Sequence, residues 1–200
     1  FEAYRSCVTP DIQQFLGHFK PIDFALKVVG VGSVGTRCFI MLLQGRDWND
    51  PLFLQMKEAA SSALEEYLQP SPYDNHGRRV VEGQRLMQTV SDILLGWTHT
   101  SATGRDYYWR QLRDWKGAVD IEMLSPDDLR SYARLCSWTL ARAHARTGDA
   151  IAIAAYLGSG ESLDRAVTAF AEQYADQNEH DYAEFVQAVE TGHLDASLRV

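Results

Sequence analysis

The stretch that decides the fold is residues 24–44, which read FALKVVGVGSVGTRCFIMLLQ. Two mainly apolar runs, residues 24–29 and 37–44, lie on either side of a G-x-G-x-x-G pattern at residues 30–35. Apolar runs of this length with glycine at their ends are typical of strands. A short glycine-rich connection between two strands is typical of an antiparallel hairpin. We therefore predict a hairpin whose tip is the glycine-rich loop.

The glycine pattern alone does not identify a ligand, because dinucleotide-binding proteins and kinases both use it. In a dinucleotide-binding unit the last glycine leads into a helix. Residues 37–43, RCFIMLL, are a poor helix start and a good strand, which disfavours that interpretation. The sequence also lacks the Gly-Lys-Ser or Gly-Lys-Thr of a phosphate-binding loop. The nucleotide-binding interpretation that remains is a hairpin that covers phosphates, as in kinases.

A third apolar run, residues 51–57, carries a lysine at its end. Strand alternation places Phe53, Gln55 and Lys57 on one face, and a buried lysine is costly unless an anion or a carboxylate meets it. In kinases a lysine on the third strand reaches the nucleotide phosphates. A glycine-rich hairpin beside a solvent-exposed lysine is the open alternative. The predicted nucleotide-binding residues of the hairpin and strand are Gly30, Gly32, Ser33, Gly35 and Lys57.

The carboxylate that pairs with Lys57 is left open by the sequence. Glu65 and Glu66 follow the lysine strand closely, whereas Glu58 is adjacent but alternates to the opposite face. Glu82 lies at the start of the next long predicted helix. We include Glu82 in the predicted nucleotide site, and the other three glutamates stay alternatives.

Strand signals come first along the chain and helix signals follow, which predicts an α+β fold. Residues 125–128, SPDD, are the strongest helix start, since serine can cap, proline suits the first turn and the acids suit the positive helix end. We predict a nucleotide-binding β-meander lobe at residues 1–122 and a helical part at residues 123–200. Further predicted strands are 107–112 and 119–122; predicted helices are 11–19, 59–68, 83–95, 125–148, and two more near 163–174 and 182–189.

Composition and charge limit the function. The chain has 27 acidic and 19 basic side chains and a net charge of -8, so it lacks the basic excess of a nucleic-acid-binding protein. No apolar run approaches the ~18 residues that span a membrane. The three cysteines are far apart and form no zinc-binding pattern, so no metal ligands are predicted. Reduced thiols and the lack of a signal-peptide pattern predict a cytoplasmic protein.

Six blocks of the sequence, in the same order, resemble the bacterial family catalogued as domain of unknown function 2252. The resemblance implies a kinase-like fold of the kind found in small-molecule phosphotransferases. Together with the hairpin glycines and Lys57, a kinase-like fold predicts ATP and magnesium as ligands, and the small-molecule or protein substrate is left open. The blocks are residues 27–37, 54–59, 79–85, 108–114, 140–146 and 174–177.

The same resemblance implies two further segments, a Gly-Asp-x-His-x-x-Asn catalytic segment and an aspartate-rich metal segment, both upstream of the glycine loop. Neither segment occurs in this chain. We therefore expect the chain to match the C-terminal part of a longer protein. It would hold the nucleotide and depend on the upstream part for catalysis. The alternative is a non-catalytic kinase-fold module for binding or assembly.

Two other groups of residues are weaker candidates. His144 and Asp149 follow a long predicted helix, as a kinase catalytic loop does, and are the predicted catalytic residues. A dipole-favoured histidine at a helix end and a turn aspartate are the simpler alternative. Arg110, Arg113 and Lys116 form a small basic cluster that could contact phosphate, since the arginine fork suits it. A solvated strand end explains the cluster equally well.

Overall fold

The computed structural model describes residues 1–28, 30, 35–112 and 117–195. The chain divides into two compact units, Phe1–Gly148 and Asp149–Val200. Within the described residues, the first unit contains five strands in one antiparallel sheet together with several helices, so the predicted α+β class is confirmed. The predicted functional boundary after residue 122 stays a prediction.

The sheet has the strand order β1-β2-β3-β5-β4, with every neighbouring pair antiparallel. The first three strands follow one another as the predicted meander, and the fifth strand inserts between the third and the fourth. This crossover brings residues 105–111 directly beside the lysine strand. The strands are β1 (Lys20–Leu26), β2 (Cys38–Gln44), β3 (Pro51–Ala59), β4 (Gly96–Thr100) and β5 (Arg105–Gln111).

One face of the sheet carries the hydrophobic core. It packs against two short N-terminal helices, α1 (Glu2–Arg5) and α2 (Pro10–Leu16). Tyr4 is fully buried there, with its ring stacked on Trp109 at 4.7 Å and its hydroxyl donating to the Leu94 carbonyl at 2.7 Å. The core consists of aliphatic and aromatic side chains from both layers: Tyr4, Val8, Ile12, Leu16, Leu43, Leu52, Leu54, Leu94 and Trp109.

The helix α3 (His76–Met87) follows β3 along the chain and packs on β4 and β5. Asn75 caps it by accepting a hydrogen bond from the Arg78 amide at 2.8 Å. Two arginines of α3, Arg78 and Arg85, lie over the Trp97 ring at 5.4 and 6.0 Å. These cation–π contacts help to hold the helix on strand β4.

The predicted helix at residues 83–95 is wrong in its bounds, and strand β4 was missed. The reason is Asp92, whose carboxylate accepts hydrogen bonds from the amides of Leu94, at 2.9 Å, and Gln111, at 2.8 Å. An aspartate that satisfies nearby amides competes with helical hydrogen bonding. The bond to Gln111 also ties this segment to strand β5, which then pairs with residues 96–100.

Several other boundaries differ from the sequence predictions. The helix predicted at 59–68 is wrong, because Ala59 ends β3 paired with Asp106 and only a 3-10 turn, Ala63–Glu66, follows. The strand predicted at 119–122 is also wrong, since a 3-10 turn occupies Ile121–Met123. In the first case Ala59, a good helix former, is held in a strand by its pairing with Asp106, because tertiary contacts commonly override helix propensity.

The later helices begin where the sequence places a cap. Helix α4 (Pro126–Thr147) starts at Ser125, whose hydroxyl accepts a hydrogen bond from the Asp128 amide at 3.2 Å, as predicted. The second unit contains α5 (Ala150–Leu157) and α6 (Ser162–Glu190). The two helices predicted near 163–174 and 182–189 are therefore one continuous helix. None of the helices in the described ranges is both long and apolar enough to cross a membrane.

Candidate functional site

Lys57 is the centre of the candidate site. It lies near the end of β3, opposite Cys38 on β2 and opposite Tyr108 on β5. Directly opposed residues of an antiparallel sheet share a face, so these three side chains form one row across the sheet. Trp97, the ring contacted by α3, pairs with Tyr108 and continues the same row. The half-buried Lys57 therefore lies on the face that α3 covers.

The glycine-rich loop connects two antiparallel strands, as predicted. The amide of Lys27 donates to the Cys38 carbonyl at 2.8 Å, and the Glu58 amide donates to the Arg37 carbonyl at 2.9 Å. These bonds fix both ends of the loop beside the Lys57 end of β3. Because a strand and not a helix follows Gly35, the dinucleotide-binding arrangement does not apply.

Two of the four predicted loop residues, Gly30 and Gly35, lie within the described residues. Gly35 has a φ of +80°, a left-handed conformation that favours glycine. A Cβ added at Gly30 or Gly35 would meet no atom within 4 Å, so the surrounding protein leaves open space there. Gly32 and Ser33 lie outside the described residues.

Glu58 anchors the loop on the opposite face of the sheet. Its carboxylate accepts hydrogen bonds from the Arg105 guanidinium, the Arg37 amide at 3.2 Å and the Arg37 guanidinium at 3.3 Å. Burial by itself raises the pKa of Glu58, but the hydrogen bonds from Arg105 and Arg37 outweigh it and hold that pKa below the ordinary value. Glu58 is thus an ionised anchor at the base of the loop.

The other candidate carboxylates have arginine partners or are exposed. Glu82 pairs with Arg85 at 3.3 Å, and Glu65 lies 3.9 Å from Arg79. Glu66 is exposed on the 3-10 turn. Across residues 1–28, 30, 35–112 and 117–195, no carboxylate oxygen lies within 4.0 Å of the Lys57 amine. A half-buried ammonium without a carboxylate favours an external anion.

The next row of the same sheet face is also polar. Gln55 is 6% exposed and its side-chain amide donates to the Cys38 sulfur at 3.3 Å. Arg110 of β5 pairs with Gln55 and is half-buried. The other members of the predicted basic cluster, Arg113 and Lys116, lie outside the described residues.

Residues 1–188 of the chain match the bacterial family described as "Uncharacterized protein conserved in bacteria (DUF2252)". The chain belongs to the DUF2252 family. Among curated proteins and among solved structures, nothing matches it. The resemblance drawn from the six sequence blocks is therefore confirmed at the level of the family, and the kinase-like fold stays a prediction.

The predicted catalytic residues of this DUF2252 chain belong to different units. His144 is exposed on α4 of the first unit. Asp149 begins the second unit, and its carboxylate caps α5 by accepting from the amides of Ile151, at 2.9 Å, and Ala152, at 3.0 Å. Capping accounts for the aspartate, and the catalytic role of both residues stays a prediction.

Acidic side chains elsewhere in the DUF2252 chain are used internally. Asp106 accepts hydrogen bonds from the Asn75 side chain, the His76 amide and the His99 ring, each at 2.8 Å. No group of three histidine, cysteine, aspartate or glutamate side chains gathers among the described residues as a metal site would require.

Sequence reasoning missed the partners of the two carboxylates that organise this region, Glu58 and Asp106. Arg105 lies 47 positions from Glu58, and β4, which supplies His99, was not predicted. Strand alternation did indicate that Glu58 points away from Lys57. Nothing in the local pattern indicated which arginines it meets.

Proposed function

We propose that this DUF2252 chain is the nucleotide-holding part of a kinase-like phosphotransferase. The observation that carries the proposal is the half-buried Lys57, which lies at the base of a glycine hairpin and lacks a carboxylate among the described residues. A ligand phosphate would supply the missing negative charge. Small side chains in the loop would let its backbone approach phosphate oxygens closely.

The order of the elements also supports a kinase-like lobe. A glycine loop joins the first two strands, a lysine lies on the third, and a helix follows before the fourth. Protein kinases place their glycine loop, strand lysine and helix glutamate in this order. In this proposal Glu82 is the helix carboxylate, and it would have to exchange Arg85 for Lys57 to form the kinase pair.

The two segments that the family resemblance implies upstream of the glycine loop would hold the metal and supply the catalytic aspartates. Magnesium would arrive with the ATP phosphates. Helix α4 supports a partner surface, since Leu135 and Trp138, one helical turn apart, are 58 and 56% exposed. Exposed apolar patches commonly mark interaction sites. His144 and Asp149 would then act only together with that upstream part, on a small-molecule or protein substrate.

A titration of the chain with ATP and magnesium tests the proposal directly. Lys57→Met should weaken binding at least tenfold, since a hydrogen bond to a charged group contributes about 1.5–3 kcal/mol. Lys20→Met is the matched control, because Lys20 is exposed on β1 at the other end of the sheet, opposite Gln44. No ATP binding by the folded wild type, or equal binding by Lys57→Met, would reject the proposal.

A non-catalytic binding or assembly module is the second candidate. It is favoured by the capping bonds that occupy the Asp149 carboxylate. ATP hydrolysis or phosphoryl transfer by the chain together with the upstream segments separates the two candidates. Activity that disappears in His144→Ala or Asp149→Ala would eliminate the non-catalytic module.

A further inference from the structure

We propose that Arg110 is a second anion-binding residue of the Lys57 site, and that the two cations together select a ligand with adjacent phosphate groups. This inference rests on the proposed function, because it names the ligand class of the same site. It concerns the polyphosphate part of a ligand and is independent of the base attached to it.

The register of β3 and β5 places the two cations on one face. Lys57 pairs with Tyr108, and Gln55 pairs with Arg110, so Arg110 is the diagonal neighbour of Lys57. Diagonal neighbours in an antiparallel pair lie about 7–8 Å apart. Lysine and arginine side chains are long enough to converge on one ligand across that distance.

Arg110 differs from the other half-buried arginines among the described residues. Four of them, Arg5, Arg79, Arg85 and Arg105, each lie within 4.0 Å of a glutamate oxygen. Arg110 is half-buried as well, yet in the described part of the chain its side chain has no ion pair, hydrogen bond or ring contact. Partial burial of an unpaired guanidinium is unfavourable unless an anion compensates it.

Tyr108 neighbours both cations, since it is opposite Lys57 and two residues before Arg110 on β5, and it supports this placement. Burial raises the pKa of Tyr108, and the nearby charge of Arg110 partly lowers it. The guanidinium is therefore close to the phenol that pairs with Lys57. A protonated phenol can also donate a hydrogen bond to a ligand oxygen. One ligand could therefore contact the ammonium of Lys57, the guanidinium of Arg110 and the hydroxyl of Tyr108.

The types of the two cations favour polyphosphate over a single anionic group. Arginine binds phosphate oxygens through two parallel hydrogen bonds, whereas lysine acts as a compact point charge. Two such groups on one face can contact two linked phosphates at once. Lys57 lies beside the strand ends at Lys27 and Cys38, so the phosphate that it binds would lie at that end of the sheet.

Calorimetric titration of the chain with four phosphate ligands, tripolyphosphate, pyrophosphate, orthophosphate and ATP, and with malonate as a dianion without phosphate, tests the inference. Arg110→Gln should weaken tripolyphosphate binding about tenfold and orthophosphate binding by about threefold or less. Arg110→Lys, which keeps the positive charge, should weaken tripolyphosphate binding less than Arg110→Gln does. Arg130→Gln is the control, because Arg130 is exposed and pairs only with Asp127 on α4.

The outcomes separate the inference from the proposed function. One outcome is that Lys57→Met no longer binds ATP, while Arg110→Gln and Arg110→Lys bind ATP and tripolyphosphate as tightly as the wild type. Arg110 would then have no part in anion binding, and the nucleotide site would stand. If Arg110→Gln loses tripolyphosphate but ATP does not compete for the site, the inference stands and the nucleotide function fails. Equal binding of malonate and pyrophosphate would overturn the phosphate class. Absence of binding to all four ligands would overturn both proposals.

Discussion

Replacement of Gly77 by alanine should displace α3 from the sheet. A methyl group at this position would lie 2.2 Å from the Tyr107 carbonyl oxygen and 2.6 Å from the carbonyl carbon. Both are backbone atoms of β5, which is paired on one side with β3 and on the other with β4. The strand therefore cannot move aside without breaking its own hydrogen bonds.

The size of the effect follows from two opposing contributions. Alanine is better than glycine in a helix by up to about 1 kcal/mol. Overpacking at a closely packed contact costs about 1–3 kcal/mol, and the overlap at Gly77 is severe. We expect Gly77→Ala to lower the free energy of unfolding by about 1–2 kcal/mol.

Gly83 provides the matched control in the same helix. A methyl group added there would meet no atom within 4 Å. Gly83→Ala should therefore raise the free energy of unfolding by about 0.5–1 kcal/mol through helix propensity alone. Because both variants make the same chemical change in α3, the difference between them isolates the contact with β5.

Urea unfolding followed by circular dichroism measures both variants. Tryptophan fluorescence should change in Gly77→Ala only, since Trp97, one of the five tryptophans, packs under Arg78 and Arg85 of α3. The close approach of α3 to β5 would be refuted if Gly77→Ala were as stable as the wild type while Gly83→Ala gained stability.

Two further substitutions test the anchor and the core. Glu58→Gln should lower the free energy of unfolding by about 1 kcal/mol at pH 7, since it weakens the pairs with Arg37 and Arg105. Because the pKa of Glu58 is lowered in the folded state, the stability that its ionised form contributes is present above the unfolded pKa and is lost as the pH falls through the folded pKa. The cost of the substitution should therefore shrink below about pH 4. An equal cost in urea melts at pH 7 and pH 3 would contradict this. Tyr4→Phe should cost about 1–2 kcal/mol by leaving the Leu94 carbonyl unpaired, and an unchanged melting curve would argue against that buried bond.

Much of the candidate site could be predicted from local patterns. The hairpin around residues 30–35 and the position of Lys57 on a strand follow from apolar runs, glycine and alternation, which are properties of a few neighbouring residues. The cap at Ser125 is equally local. The errors occurred where distant segments decide, as at Ala59, which pairs with Asp106 despite helix-forming neighbours.

The amino-acid sequence by itself determined the α+β class, the order of the first three strands, the start of α4 and membership of the DUF2252 family. Tertiary structure alone decided that β5 inserts beside β3, so that Arg110 shares a face with Lys57. It also decided that Glu58 meets Arg105 and that Glu82 meets Arg85. The reason is physical: strand alternation and capping depend on adjacent residues, whereas strand neighbours and ion pairs depend on which distant surfaces bury each other.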